Sequence, residues 1–119
     1  MKVYGIKNCD TVKKARKFLE EAGVEYSFHD YKKDGVDPVK LRGFVDEFGW
    51  EMVLNRKGTT WRKLDEDIKD GVTSADTAIE IMLEHPSAIK RPIAEGKVKT
   101  LLGYDPVAWE MALELGELA

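Results

Sequence analysis

The first thirty-one residues constrain the fold most. Lys2-Val3-Tyr4-Gly5-Ile6 is a short apolar run that reads as a buried strand. Asn8-Cys9-Asp10-Thr11 interrupts it with residue types that favour a helix N-terminus. Val12, Ala15, Leu19 and Ala22 then recur at helical spacing with Phe18 beside them, and Gly23 stands where a helix ends on a left-handed residue. Val24 to Tyr31 alternates and is rich in aromatics, which predicts a second strand. A helix joining two neighbouring strands makes them parallel, in a right-handed βαβ unit.

The rest of the chain must complete that sheet. Asp37-Pro38 opens a second helix, whose apolar face is Leu41, Phe44, Val45 and Phe48 and which Gly49 ends. Met52 to Arg56 and Thr60 to Asp67 read as short helices around a Lys57-Gly58 turn. Ser74 caps a helix with Ala78, Ile79, Met82 and Leu83 facing inward, and His85-Pro86 stops it. Pro92 to Ala94 and Val98 to Leu102 read as two short strands with Glu95-Gly96 as their hairpin turn. Asp105-Pro106 opens the last helix, with Trp109, Ala112 and Leu113 inward. The order is β-α-β, a helical insert, then β-β-α. That is the order of an α/β, thioredoxin-like fold with a mixed sheet. At 119 residues the chain is expected to form one domain, the insert at about residues 37–86 being too embedded to stand alone.

The single cysteine, Cys9, restricts the chemistry. It excludes an internal disulfide, a zinc cage of several cysteines and an intramolecular dithiol centre. His29 falls in a strand and His85 at a helix end, neither with a partner at ligand spacing, so no metal is expected. Trp50, Trp61 and Trp109 read as packing, and Arg62 and Lys63 as solvated helix charges. The formal charge of −3 argues against nucleic acid as a partner. No apolar run is long enough for a membrane span, and Met1 to Asn8 has no signal-peptide core. A cytoplasmic protein with a free thiol is the expectation.

Charge is unevenly spread. Met1 to Glu20 carries six bases and two acids; Arg56, Lys57, Arg62 and Lys63 form a second basic group, and Lys90, Arg91, Lys97 and Lys99 a third. Asp65 to Glu84 carries seven acids against one lysine. If the basic groups gather, they form one electropositive site on an acidic body; otherwise they are scattered solvated charge.

Cys9 has two readings, a small buried hydrophobe or an activated thiol. Its polar neighbours favour the second. Helix N-termini leave N–H groups unpaired, and these with the helix dipole stabilise a thiolate. Lys7, Lys13 and Lys14 raise the local potential, and Asp10 opposes it. Thr11 is placed to cap the helix or to hydrogen-bond the sulfur through its hydroxyl. Lys7, Asn8 and Thr11 are therefore grouped with Cys9 as anion-binding residues.

Tyr4 to Thr11, followed by Lys13-Lys14-Ala15, resembles the N-terminus of the arsenate reductase-like proteins, most closely their YffB-like branch, in the group that also holds the Spx regulators. The resemblance continues through Leu54 to Thr59, Met82 to Pro86, Ile89 to Ile93 and Val98 to Pro106. It implies the same thioredoxin-like fold with a helical insert, and roles residue by residue. Cys9 matches the catalytic cysteine. Arg56 and Arg91 match arginines that hold an oxyanion or stabilise the thiolate, as guanidinium groups do for oxyanions and carboxylates. Pro92 matches the cis-proline facing the active site. No bound cofactor is implied; glutathione is the implied co-substrate, with a small anionic or disulfide substrate. Three positions depart from the wider pattern. A third arginine of the arsenate reductases falls on Gly103 or Tyr104, their histidine near the cysteine falls on Gly5, and the second cysteine of Spx regulators falls on Val12. Two classes of function remain. One is an oxidoreductase, a glutathione-dependent thiol reductase that borrows its second thiol from another molecule. The other is a binding protein, either an Spx-like regulator with RNA polymerase or another protein as partner, or a non-catalytic anion-binding relative.

Overall fold

The computed structural model describes residues 1–118. In chain order the elements are β1 (Lys2–Gly5), α1 (Asp10–Glu21), β2 (Ser27–Asp30), α2 (Tyr31–Asp34), α3 (Pro38–Phe48), α4 (Trp50–Val53), α5 (Thr59–Arg62), α6 (Glu66–Asp70), α7 (Ala75–Glu84), β3 (Ile93–Glu95), β4 (Thr100–Leu102) and α8 (Pro106–Glu114), with a 3-10 turn at Pro86–Ala88. The chain divides into two compact units, one made of residues 1–34 with the stretch from Arg91 onward, the other of Gly35–Lys90.

The first unit carries a four-stranded sheet in the order β2-β1-β3-β4. β1 is parallel to β2 and antiparallel to β3, and β3 is antiparallel to β4, so the α/β sheet is mixed. Val3 pairs with Phe28 and Ala94. Side chains alternate across a strand, so Val3 and Ala94 share one face. They pack there with Ala15 and Leu19 of α1, Leu101 of β4, Trp109 and Ala112 of α8, and Leu118. Trp109 satisfies its one polar atom inside this core by donating Nε1–H to the Gly103 carbonyl at 3.0 Å. Tyr4 lies on the opposite face, its ring 5.3 Å from His29 and 6.3 Å from Tyr31, and its hydroxyl donates to Glu95 Oε1 at 3.3 Å.

Both ends of β2 and the hairpin turn differ from the sequence reading. β2 begins at Ser27 rather than Val24, because Gly23 adopts φ 71° and lets Val24 N–H turn back to the Leu19 carbonyl at 2.9 Å. It ends before Tyr31, where two carboxylates close a helical turn: Asp30 accepts from Lys32 N–H, and Asp34 accepts from Asp30 N–H. The hairpin turn also falls later, spanning Gly96 to Lys99, with Gly96 N–H donating to the Lys99 carbonyl at 2.9 Å and Glu95 kept in β3.

In the second unit, Asp37 caps α3 by accepting from Val39 N–H at 2.9 Å, with Pro38 in the first turn. Ser74 and Thr77 form a reciprocal capping box on α7. α3 packs against α4 and α7, burying Leu41, Phe44, Val45, Val53, Ala78, Ile79 and Met82. α4 stops at Val53, short of Arg56, because Leu54 turns extended and bridges Ile89. The segment expected as one helix from Thr60 to Asp67 is two, α5 and α6, separated where Asp65 becomes extended. No helix among the described residues is long and apolar enough to cross a membrane.

Candidate functional site

Cys9 owes its position to the turn between β1 and α1. Cys9 N–H donates to the Ile6 carbonyl at 3.2 Å, closing that turn, and Cys9 is itself the N-cap of α1 with extended backbone (φ −102°, ψ 126°). Its carbonyl accepts the first helical bond, from Lys13 N–H at 2.9 Å. The sulfur therefore occupies the place of a capping side chain, where first-turn N–H groups need an acceptor. Gly5 permits the close approach of β1 to this turn, since a Cβ there would lie 2.8 Å from Val12 Cγ2.

Five contributions set the acidity of the half-buried thiol. Burial pushes it up. The Val12 N–H, a hydrogen bond and the charge of the Arg91 guanidinium, and the Thr11 N–H all oppose burial, and together they hold Cys9 below its ordinary value of 9.0. Arg91 is brought to the thiol by the same sheet: it precedes β3, and the Arg91–Pro92 peptide bond is cis. Pro92 is buried, and its carbonyl accepts from Gly103 N–H at 2.7 Å. Arg91 also lies within electrostatic reach of buried Tyr31, whose phenol is pushed far up by burial and by Tyr4, and down by Arg91.

Lys7, Asn8 and Thr11 are exposed. Thr11 reaches the sulfur through its backbone N–H rather than its hydroxyl. Asp10 is the first residue of α1 and leaves the cap to Cys9. Arg56 belongs to the second unit. Its guanidinium lies 5.5 Å from the Trp50 ring centroid, and it lines a cleft of about 200 Å³ with Asn55, Lys57 and Lys90. The sequence places Lys57 and Lys90 in separate basic groups, and the Leu54–Ile89 bridge is what joins their segments. Arg62 is exposed, as a solvated helix charge should be, and its Nε and one terminal nitrogen also donate to the Lys57 carbonyl. Among the described residues, no group of three or more His, Cys, Asp or Glu could hold a metal ion.

The sequence model of the ArsC family matches residues 4–112. The chain belongs to the ArsC family. Among solved structures similar to it, one described as YffB is 53% identical, covers 94% of this chain and 97% of its own, and superposes with a TM-score of 0.89. An arsenate reductase (ArsC) related protein from Brucella melitensis is 49% identical over 95% of this chain and 93% of its own, with a TM-score of 0.74. Among curated relatives, the global transcriptional regulator Spx of Streptococcus pyogenes is 23% identical over 100 residues, covering 82% of this chain and 73% of the regulator. The α/β architecture is thus the thioredoxin-like fold of the ArsC family, whose arsenate reductase-related members place the chain in an oxidoreductase-type family that also has regulatory relatives.

Proposed function

We propose that the protein is a glutathione-dependent thiol reductase working through the Cys9 thiolate in the cytoplasm. The observation that carries this reading is the position of Cys9 at the N-cap of α1, where, against burial, the N–H groups of Val12 and Thr11 and the Arg91 guanidinium lower the pKa of its thiol. These donors stabilise the thiolate, which is both the nucleophile and, one step later, the leaving group.

The cycle needs one protein sulfur. The Cys9 thiolate attacks the glutathione sulfur of a mixed disulfide between glutathione and a substrate thiol. A new sulfur–sulfur bond joins Cys9 to glutathione, the old one breaks, and the substrate leaves as a thiolate that takes a proton from water. A second glutathione, as its thiolate, attacks the glutathione sulfur of that adduct. Oxidised glutathione departs and the Cys9 thiolate is restored. Over the turnover one glutathione thiol is consumed: the mixed disulfide and one reduced glutathione become the substrate thiol and oxidised glutathione, so the incoming glutathione sulfur is oxidised as the substrate sulfur is reduced. Arg91 stabilises Cys9 as it leaves. A disulfide suits this chain better than arsenate, because the positions matching a third arginine are taken up structurally. Gly103 bonds Pro92 and Trp109, and the Tyr104 ring packs edge-on against Trp109 at 5.1 Å.

The test is glutathione-dependent reduction of hydroxyethyl disulfide. Wild type is expected to turn over and Cys9→Ser to be inactive; equal rates for the two would refute the reading. The likeness to Spx supports a second reading, a regulator binding a protein partner. A partner retained equally by wild type and Cys9→Ser in a pull-down, with no thiol exchange, would favour it.

A further inference from the structure

Val107, Met111 and Leu115 follow one another at intervals of four residues along α8 and its C-cap, so successive members advance only about 40° around the helix. Trp109 and Ala112 occupy the buried face of α8, whereas these three residues are 67%, 56% and 70% exposed. A single exposed apolar side chain is ordinary, but three in one register form a ridge of the kind another helix packs against. The ridge is held in place from beneath and at both ends. Trp109 and Ala112 fix α8 in the core, the Asp105 carboxylate accepts from Val107 N–H at 3.1 Å, and Leu115 N–H donates to the Met111 carbonyl at 3.0 Å.

The charge beside the ridge has one sign. Glu110 lies three residues from Val107 and Glu114 three from Met111, which makes them surface neighbours of the ridge. Both are exposed, and among the described residues neither makes an ion pair. No Lys or Arg stands between Asp105 and Leu118. A second copy pairing through α8 would bring no cation to this face: it would set these carboxylates against their own copies or against a flank without Lys or Arg. An anionic membrane surface suits it no better, because helices that lie on such surfaces present Lys and Arg to the headgroups.

We propose that this face docks a basic amphipathic helix of another protein, with its apolar residues against Val107, Met111 and Leu115 and its lysines or arginines beside Glu110 and Glu114. The apolar ridge supplies the contact, and the two carboxylates select the sign of charge the partner carries. The ridge is about 12 Å long, so the contact is small and the complex transient. None of these residues belongs to the thiol site, so the docking face and the chemistry of Cys9 stand or fall separately.

The probe is a labelled synthetic helix of leucine and lysine with its leucines at heptad spacing, and the control is the same peptide with glutamate for every lysine. Each is titrated with the whole protein by fluorescence anisotropy, and the amide resonances of Val107 to Leu115 are followed in parallel. Saturable binding of the lysine peptide with shifts at those amides is expected, and no binding of the glutamate peptide. Met111→Ser is expected to weaken binding about tenfold, the loss that goes with one apolar side chain at a contact. Glu110→Gln combined with Glu114→Gln is expected to weaken it about threefold and to flatten its salt dependence. Val39→Ser, at an exposed apolar residue of α3, is expected to leave it unchanged. All four positions are exposed, so the variants are expected to keep the wild-type melting temperature. Equal binding of the two peptides, or equal binding by Met111→Ser and wild type, would overturn the proposal. Dimerisation in sedimentation that Met111→Ser abolishes would give the face to a second copy, and pelleting with phosphatidylglycerol vesicles that it abolishes would give the face to a membrane; either would overturn the proposal.

Discussion

Replacing Arg91 by alanine removes both its hydrogen bond and its charge from the Cys9 sulfur, while the N–H groups of Thr11 and Val12 remain. A hydrogen bond to a charged group contributes about 1.5–3 kcal/mol. Cys9 is well short of fully buried, so solvent screening brings the loss down to about 1 kcal/mol, or about a fivefold smaller thiolate fraction at neutral pH. The rate falls by less than that, because a more basic thiolate is a better nucleophile. With a Brønsted coefficient of about 0.4–0.5, each thiolate reacts about twofold faster. Iodoacetamide alkylation of Arg91→Ala is thus predicted to be about two- to threefold slower than wild type at neutral pH and about twofold faster on the alkaline plateau. The two pH–rate curves must cross. The assay is the pseudo-first-order alkylation rate by mass spectrometry across pH, with unfolding followed in parallel. Superimposable curves would refute the claim that Arg91 activates the thiol; a uniform slowing without a crossing would mean that Arg91→Ala merely restricts access.

Other perturbations test other links in the argument. Trp109→Ala empties a position that is 1% exposed and leaves the Gly103 carbonyl without its donor, so urea unfolding is expected to show a loss of about 3–5 kcal/mol. Gly5→Ala forces a Cβ against Val12 at the base of the Cys9 turn; a loss of about 1–3 kcal/mol together with slower Cys9 alkylation is expected, and an unchanged alkylation rate would separate the turn from the thiol. Ser74→Ala breaks the capping box of α7 at a cost of about 1 kcal/mol, measurable as a lowered urea midpoint. Because the folded Cys9 titrates below 9.0, its thiolate contributes stability that is fully present above 9.0 and lost as pH falls through the folded value. The stability of wild type relative to Cys9→Ser is therefore predicted to rise between neutral pH and 9.0, by chemical denaturation at several pH values.

The sequence made the fold legible wherever periodicity and caps agree. The spacing of Val12, Ala15 and Leu19 against Gly23 locates α1, Asp37-Pro38 and Asp105-Pro106 locate the starts of α3 and α8, and the short apolar run around Tyr4 locates β1. It misled where a local side-chain bond overrides the apolar pattern, as at Tyr31, where the carboxylates of Asp30 and Asp34 turn the chain into a helix. The thiol was legible for a similar reason: a polar break between a strand and a helix places Cys9 at the cap. Which basic residues meet was not legible: Lys57 and Lys90 share a cleft through a long-range backbone bridge, and Arg62 bonds a carbonyl, neither of which leaves a residue pattern.

The most direct test of an activated Cys9 is the intact mass of the native protein after brief incubation with oxidised glutathione. One glutathione adduct on Cys9 is predicted under native conditions, and none on Cys9→Ser. An adduct that forms only after unfolding would show Cys9 to be an inert structural thiol and would contradict the account.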